Sequence, residues 1–261
     1  MSLPQISPSK LTTYLACPVK YRWSYVDGRA RIYRRARPAF SFGTSLHRAL
    51  ESFAKDEGVP TAEAIAAELE QSWISAGYRD ADEMQEAFGE GKQILEDFVS
   101  AGLLREPGSK TLQLEANLSY DFEKFRLTGR VDRIDELADG TLEIIDYKTS
   151  RSSLSPADVE ANIALSCYQF LLKQENPDRR VQARLISLTN QATAAWEMPE
   201  DTMAQFQEDV RVLGEWILKE DYADLLPKVK AICKSCDFLP LCRKHEEFAW
   251  AEPAGIGAGT L

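Results

Sequence analysis

The sequence has no segment approaching the roughly eighteen uninterrupted apolar residues of a membrane-spanning helix. Its opening, MSLPQISPSK, lacks the apolar core of a signal peptide, so the expectation is a cytoplasmic protein without membrane association. Internal repeats are absent, and low complexity is confined to the tail AEPAGIGAGTL, which reads as mobile. Histidine is scarce, with two in 261 residues. The five cysteines point to metal ligands or free thiols rather than to a disulfide framework. An excess of basic charge is missing as well, since the net charge of −10 argues against a uniformly basic nucleic-acid-binding surface. What the chain does have is length and an ordinary 44% hydrophobic content, enough for one large domain or two small ones.

The charge is unevenly spread. Residues 1–50 hold nine Lys or Arg (Lys10, Lys20, Arg22, Arg29, Arg31, Arg34, Arg35, Arg37, Arg48) against a single acid, Asp27. The segment is therefore +8 and the remainder −18. Tyr14, Tyr21, Trp23, Tyr25 and Tyr33 are interleaved with these cations. Such a pattern suits a surface that follows a phosphate backbone and stacks bases. It equally suits helices whose arginines are solvated around a packed aromatic face, and the sequence leaves both open.

Periodicity divides the chain into four zones. Ser9 is placed to cap a helix over residues 10–16, and a second runs from Pro18 to about Tyr25. Residues 40–101 read as helical, broken near Gly58-Val59-Pro60 and at Gly77. From Leu112 to Lys148 the pattern changes to strands: LQLEANLSY, FRLTGRVDRI and TLEIIDYK. Ser155-Pro156 opens a helix to about Gln174, followed by the strand VQARLISLT, a short strand at 194–198, and an amphipathic helix over about 200–219. Helices, three consecutive strands, a helix and further strands make an α/β layered core, in which the crossover helix permits a mixed sheet. We expect a single domain over 1–261. Its parts are a mainly helical 1–105, an α/β core at 106–222, a cysteine segment at 223–250 and the tail 251–261.

Within the strand zone, GRVDRIDELADGTLEIIDYKTS carries the chemistry. It reads as a hairpin turning at Asp139-Gly140. Side chains alternate along a strand, so Asp146 and Lys148 share a face, whereas Asp132 and Asp135, three apart, cannot both point to one site on an unbroken strand. Burying such charges is costly unless they are paired or bind a metal. A solvated hairpin and an acidic metal site with an attendant lysine are the two readings.

Asp132 on one strand, Asp146-Tyr147-Lys148 on the next and Tyr168 on a following helix together resemble the PD-(D/E)XK nuclease superfamily. Within it the chain is similar to the RecB-type exonucleases, including the RecB-like nucleases associated with CRISPR systems and the nuclease of AddB. The opening SPSKLTTYLACPVKYRWSYV, the helix start FGTSLHRALE, the strand GRVDRID and the late cysteines fit the same group, from Ser7 to Cys242. The resemblance implies a restriction-endonuclease-like core, a mixed central sheet flanked by helices, with an N-terminal helical region and a C-terminal cysteine cluster.

It also implies roles. Asp132, Asp146 and His47 would bind Mg²⁺ or Mn²⁺, with the main-chain carbonyl of Tyr147 as a further oxygen ligand. Lys148 would orient the attacking water or offset charge developing on the phosphorus centre. Tyr168 matches the tyrosine of the family's Gln-x-x-x-Tyr helix motif, but Ala164 stands where that motif has glutamine. This departure puts the DNA-positioning role of that helix in question while leaving the metal chemistry untouched. Glu115, on the first strand, is either an additional acid of the site or an ordinary strand carboxylate.

The cysteines divide four to one. In the iron–sulfur branch of RecB-type nucleases one N-terminal cysteine and a C-terminal trio ligate a 4Fe–4S cluster, and Cys17, Cys233, Cys236 and Cys242 stand in the matching contexts. The alternative is zinc on Cys233, Cys236, Cys242 and His245, a set that leaves Cys17 without a role. Cys167 reads as a buried thiol. The implied activity is a metal-dependent DNA exonuclease acting on single-stranded ends, with a helicase or CRISPR adaptation proteins as partners. The competing class is a catalytically silent DNA-binding or scaffolding module of the same fold.

Overall fold

The computed structural model describes residues 2–55, 58–149, 153–246 and 248; the tail 251–261, expected to be mobile, lies outside them. Strand β1 (Gln5–Ile6) precedes helices α1 (Pro8–Ala16), α2 (Pro18–Tyr21), α3 (Ala30–Tyr33), α4 (Pro38–Lys55), α5 (Ala62–Ser72) and α6 (Ala81–Ser100). Strands β2 (Lys110–Asp121), β3 (Arg126–Glu136) and β4 (Leu142–Lys148) follow. The chain continues through α7 (Pro156–Glu160), α8 (Ile163–Glu175), β5 (Val181–Ser187), β6 (Thr193–Trp196), α9 (Glu200–Lys219) and α10 (Leu239–Cys242). Contacts divide it into two compact units, Met1–Ser9 with Ala36–Trp216, and Lys10–Arg35 with Ile217–Leu261. Among the described residues no helix is long and apolar enough to cross a membrane.

The larger unit is a six-stranded mixed sheet in the order β1-β3-β4-β5-β6, with β2 along the other edge of β3. β2, β3 and β4 form an antiparallel meander, turned at Gly140, whose φ of 84° only glycine adopts without strain. β5 joins β4 in parallel, as the intervening helices allow, and β6 returns antiparallel. Strand β1 has no counterpart in the sequence pattern; two residues carry no periodicity, and their place is set by parallel pairing with Arg126 and Leu127. β3 thus shares one edge between two neighbours, β1 at its start and β4 from Arg133 onward.

The long helices begin where side-chain oxygens can take up free N–H groups. Thr61 accepts from Ala64, and Asp80 from Glu83. The crossover, expected as one helix, is two: Asn162 accepts from the N–H groups of Ala164 and Leu165 and starts α8 afresh. Local capping by an Asn side chain offers the backbone an alternative to a continuous helix.

Helices α4, α5 and α6 supply Leu46, Leu50, Leu69, Leu95 and Phe98 to a core that also takes Ile145 and Tyr147 of β4 and Ile186 of β5. Each such side chain contributes about 1.5–3 kcal/mol on burial. α8 packs on the sheet through buried Leu165, Phe170 and Leu171, and the Phe170 ring meets Tyr120 of β2 at 5.1 Å. α9 lies so close to the β2–β3 turn that a Cβ on Gly214 would sit 2.3 Å from the Phe125 ring.

The smaller unit packs Val19, Trp23, Phe238 and Leu241 around Cys233 and Cys242. Here α2 runs on into a π-helical turn, Arg22–Val26.

Candidate functional site

The ladder between β2 and β3 pairs Leu114 with Arg133 and Ala116 with Val131, and skips the intervening Glu115 and Asp132. Glu115 has φ of 51°, a left-handed conformation rare for a side-chain-bearing residue. Asp132 stands at this break, next to the point where β4 begins to pair with β3. Arg133 lies opposite Ile145, so Asp132 and Asp146 are the next positions along the two strands.

The expected side chains converge there from separate elements. His47 of α4 sets Nδ1 3.2 Å from Asp132 Oδ2, and Lys148 sets Nζ 2.6 Å from Asp146 Oδ2. The contacted oxygen of each carboxylate is buried, and among the described residues neither has a partner beyond His47 and Lys148. Burial pushes the Asp146 pKa upward against the pull of Lys148, and the charge on Asp132 raises it further. Burial works against a charged His47, but hydrogen bonding and attraction from Asp132 leave its pKa raised. Two half-buried carboxylates at adjacent positions, each with one buried oxygen, repel one another and are a suitable arrangement for a hard divalent cation.

As they stand, no three His, Cys, Asp or Glu side chains among the described residues are arranged to hold a metal ion. Two carboxylates with His47 beside them are the kind of donor set that a hard divalent cation takes. Tyr147 is buried, with its ring 5.9 Å from that of His47 and 6.1 Å from that of Phe98, and it lines a small cavity together with His47 and Asp132.

Tyr168 lies within the field of both aspartates, and burial first, then their charges, raises its hydroxyl pKa. Its position depends on Gly129: a Cβ there would lie 2.9 Å from Cδ1 and Cε1 of the Tyr168 ring. Gly129 is the residue of GRVDRID whose part in the site the sequence pattern does not declare. A lone glycine inside a strand is the available signal, since it marks close approach by another element.

Asp135, the alternative to Asp132, is structural. Fully buried Arg133 donates Nε to its Oδ1 at 2.7 Å and Nη2 to its Oδ2, and donates Nη1 to the Leu104 carbonyl and, at 3.3 Å, to the Tyr147 hydroxyl. Nothing in the sequence pattern distinguishes this buried arginine from the exposed ones.

In the smaller unit Cys17, Cys233, Cys236 and Cys242 line one small cavity, together with Trp23 and Phe238. Cys17 Sγ accepts from Lys20 N and Cys233 Sγ from Lys230 N, each at 3.4 Å. Burial pushes the Cys242 thiol up to about 12 and raises that of Cys236. His245 is exposed, stacks on Trp23 at 6.5 Å, and is not among the residues lining this cavity. Cys167 is buried within α8, where desolvation alone pushes its thiol up to about 12. Two aromatics of the basic segment pack inward: Tyr21 stacks on Tyr222 and Trp23 lies against Phe238. Both are buried, which removes them as base-stacking platforms, while Arg31, Arg34 and Arg35 are exposed.

Comparison with known proteins bears on this arrangement. The B subunit of an ATP-dependent helicase/deoxyribonuclease from Streptococcus uberis is 31% identical over 155 residues, covering 56% of this chain and 14% of that protein. Its namesake from Clostridium tetani is 25% identical over 211 residues, 66% of this chain and 18% of that protein. The chain therefore spans less than a fifth of the length of these relatives. A crystal structure of a candidate exonuclease from Eubacterium rectale shares the fold at a TM-score of 0.55, with 11% identity, over 97% of this chain and 91% of that one. The family model described as the PD-(D/E)XK nuclease superfamily matches residues 5–243, a span that includes both aspartates, Lys148 and all five cysteines, and the chain belongs to that superfamily.

Proposed function

We propose that the protein is a divalent-cation-dependent deoxyribonuclease that degrades DNA from single-stranded ends. The observation that carries this reading is the pair Asp132 and Asp146, adjacent on two strands, each with a buried oxygen, one against His47 and the other against Lys148. Asp132 and Asp146 would hold Mg²⁺ or Mn²⁺, with His47 and the main-chain carbonyl of Tyr147 completing the set. When bound, such a cation supplies Lewis acidity toward the phosphoryl oxygen and lowers the pKa of water. His47 keeps Asp132 oriented, and Lys148 carries a fixed positive charge to where negative charge grows in the pentavalent transition state. Tyr168 closes the side of the site beneath α8.

The four cysteines lining one cavity support a 4Fe–4S cluster that ties residues near Cys17 to the C-terminal trio. Closing so long a loop restrains the unfolded chain, so the role we assign is structural. Exclusion of His245 from the cavity favours this over the Cys₃His zinc set. The names of the relatives support a helicase partner, and the resemblance to CRISPR-associated nucleases supports a place in adaptation as the other setting.

The test is incubation of anaerobically purified protein with end-labelled single-stranded DNA and Mn²⁺ or Mg²⁺, following product length with time. Short products released progressively from one end are expected. Internal cuts throughout would make the enzyme an endonuclease, and no hydrolysis with either cation would overturn the nuclease reading.

A further inference from the structure

Arg130 lies two residues before Asp132 on β3, about 7 Å along the strand. Its side chain is 68% exposed, and its Nε forms an ion pair with Glu115. Glu115 lines the same small cavity as His47 and Asp132, and its charge reaches Tyr168. It is also the residue at φ 51° where the β2–β3 ladder is interrupted. Left-handed backbone at a non-glycine costs on the order of 1–2 kcal/mol, and such strain gathers at functional sites.

The charges give the pair a purpose. Asp132, Asp146 and Glu115 place three carboxylates where a polyanionic strand must approach. His47 and Lys148 stand against two of them. Arg130 stands against the third, and it is far more exposed than either. An ion pair this exposed is worth only about 0–1 kcal/mol, so releasing it costs little. A guanidinium presents paired donors that match a phosphate at least as well as a carboxylate.

Resting on the nuclease reading, we infer that Arg130 is a substrate-contact residue that Glu115 holds at the mouth of the site until a DNA phosphate neighbouring the scissile one takes the carboxylate's place. Glu115 is then the resting partner of Arg130 and not a cation ligand.

The experiment reads DNA binding without hydrolysis, using a labelled single-stranded oligonucleotide in chelator across a salt series, and then steady-state kinetics with Mn²⁺. Arg130→Gln should weaken binding about five- to tenfold and lower the salt slope by about 0.7, the loss of one phosphate contact. KM should rise similarly while kcat falls much less. Arg130→Lys should restore most of the salt slope. Glu115→Gln should bind the oligonucleotide as tightly as the parent or more so, with unchanged Mn²⁺ affinity. Unchanged DNA affinity and slope in Arg130→Gln would overturn the inference, as would weakened Mn²⁺ binding in Glu115→Gln. Because the binding arm contains no cation, its outcome is separate from loss or retention of cleavage in Asp146→Ala, which tests the nuclease reading itself.

Discussion

The ring of Tyr168 rests on the backbone of Gly129, at a distance that leaves no room for a Cβ. This contact fixes the height of α8 above β3 and, with it, the distance of the tyrosine from Asp132 and Asp146. Gly129→Ala should therefore act on stability and on the site together. Overpacking of this kind costs about 1–3 kcal/mol, which thermal unfolding would record as a fall of several degrees. Cleavage measured well below the melting temperature should still be reduced, because the ring must move. A variant with parental melting and parental rate would show that the contact relaxes without consequence.

Asp146→Ala removes one of the two adjacent carboxylates, and Lys148→Ala removes the side-chain cation that stands 2.6 Å from it. Loss of a preorganised charge at a transition state typically costs about 10²–10³ in rate. Cleavage should fall at least that far in both variants, while circular dichroism and melting stay near parental, since neither side chain belongs to the apolar core. Full activity in Asp146→Ala, or in excess chelator, would refute the cation-site assignment.

The exposed arginines before α4 are suited to track a DNA backbone even though the neighbouring Tyr21 and Trp23 are not available to stack bases. Replacing Arg31, Arg34 and Arg35 with Gln should lower the salt slope of single-strand binding by about two, at roughly 0.7 per phosphate contact. Affinity should fall for all sequences alike. If slope and affinity stay put, these arginines are simply solvated.

Iron and zinc make opposite predictions for two residues. Protein purified without oxygen should be brown, with broad absorbance near ~400 nm and stoichiometric iron and sulfide. Cys17→Ala should lose the iron and loosen the smaller unit, which limited proteolysis can follow. His245→Ala and Cys167→Ala should keep it. Zinc is colourless, and a colourless protein carrying one zinc that depends on His245 and not on Cys17 reverses the assignment.

Much of this molecule is legible in its residues because periodicity, capping and turn chemistry act over short stretches. The meander from β2 to β4, its turn at Asp139-Gly140, and the final long helix α9 follow from local pattern, and the order Asp132, Asp146, Lys148 carries the family. Other features emerge only from the structure. Asp135 is buried and held by Arg133, whose guanidinium also reaches the Leu104 carbonyl and the Tyr147 hydroxyl. Whether Tyr21 and Trp23 meet bases or a core depends on Phe238 and Tyr222, some two hundred residues away in sequence. The crossover becomes two helices through one Asn162 side chain choosing the backbone over solvent. For Tyr21 and Trp23 the deciding partner is distant along the chain, and sequence pattern records what a residue prefers locally, whereas burial and charge pairing are settled by whatever the fold brings beside it.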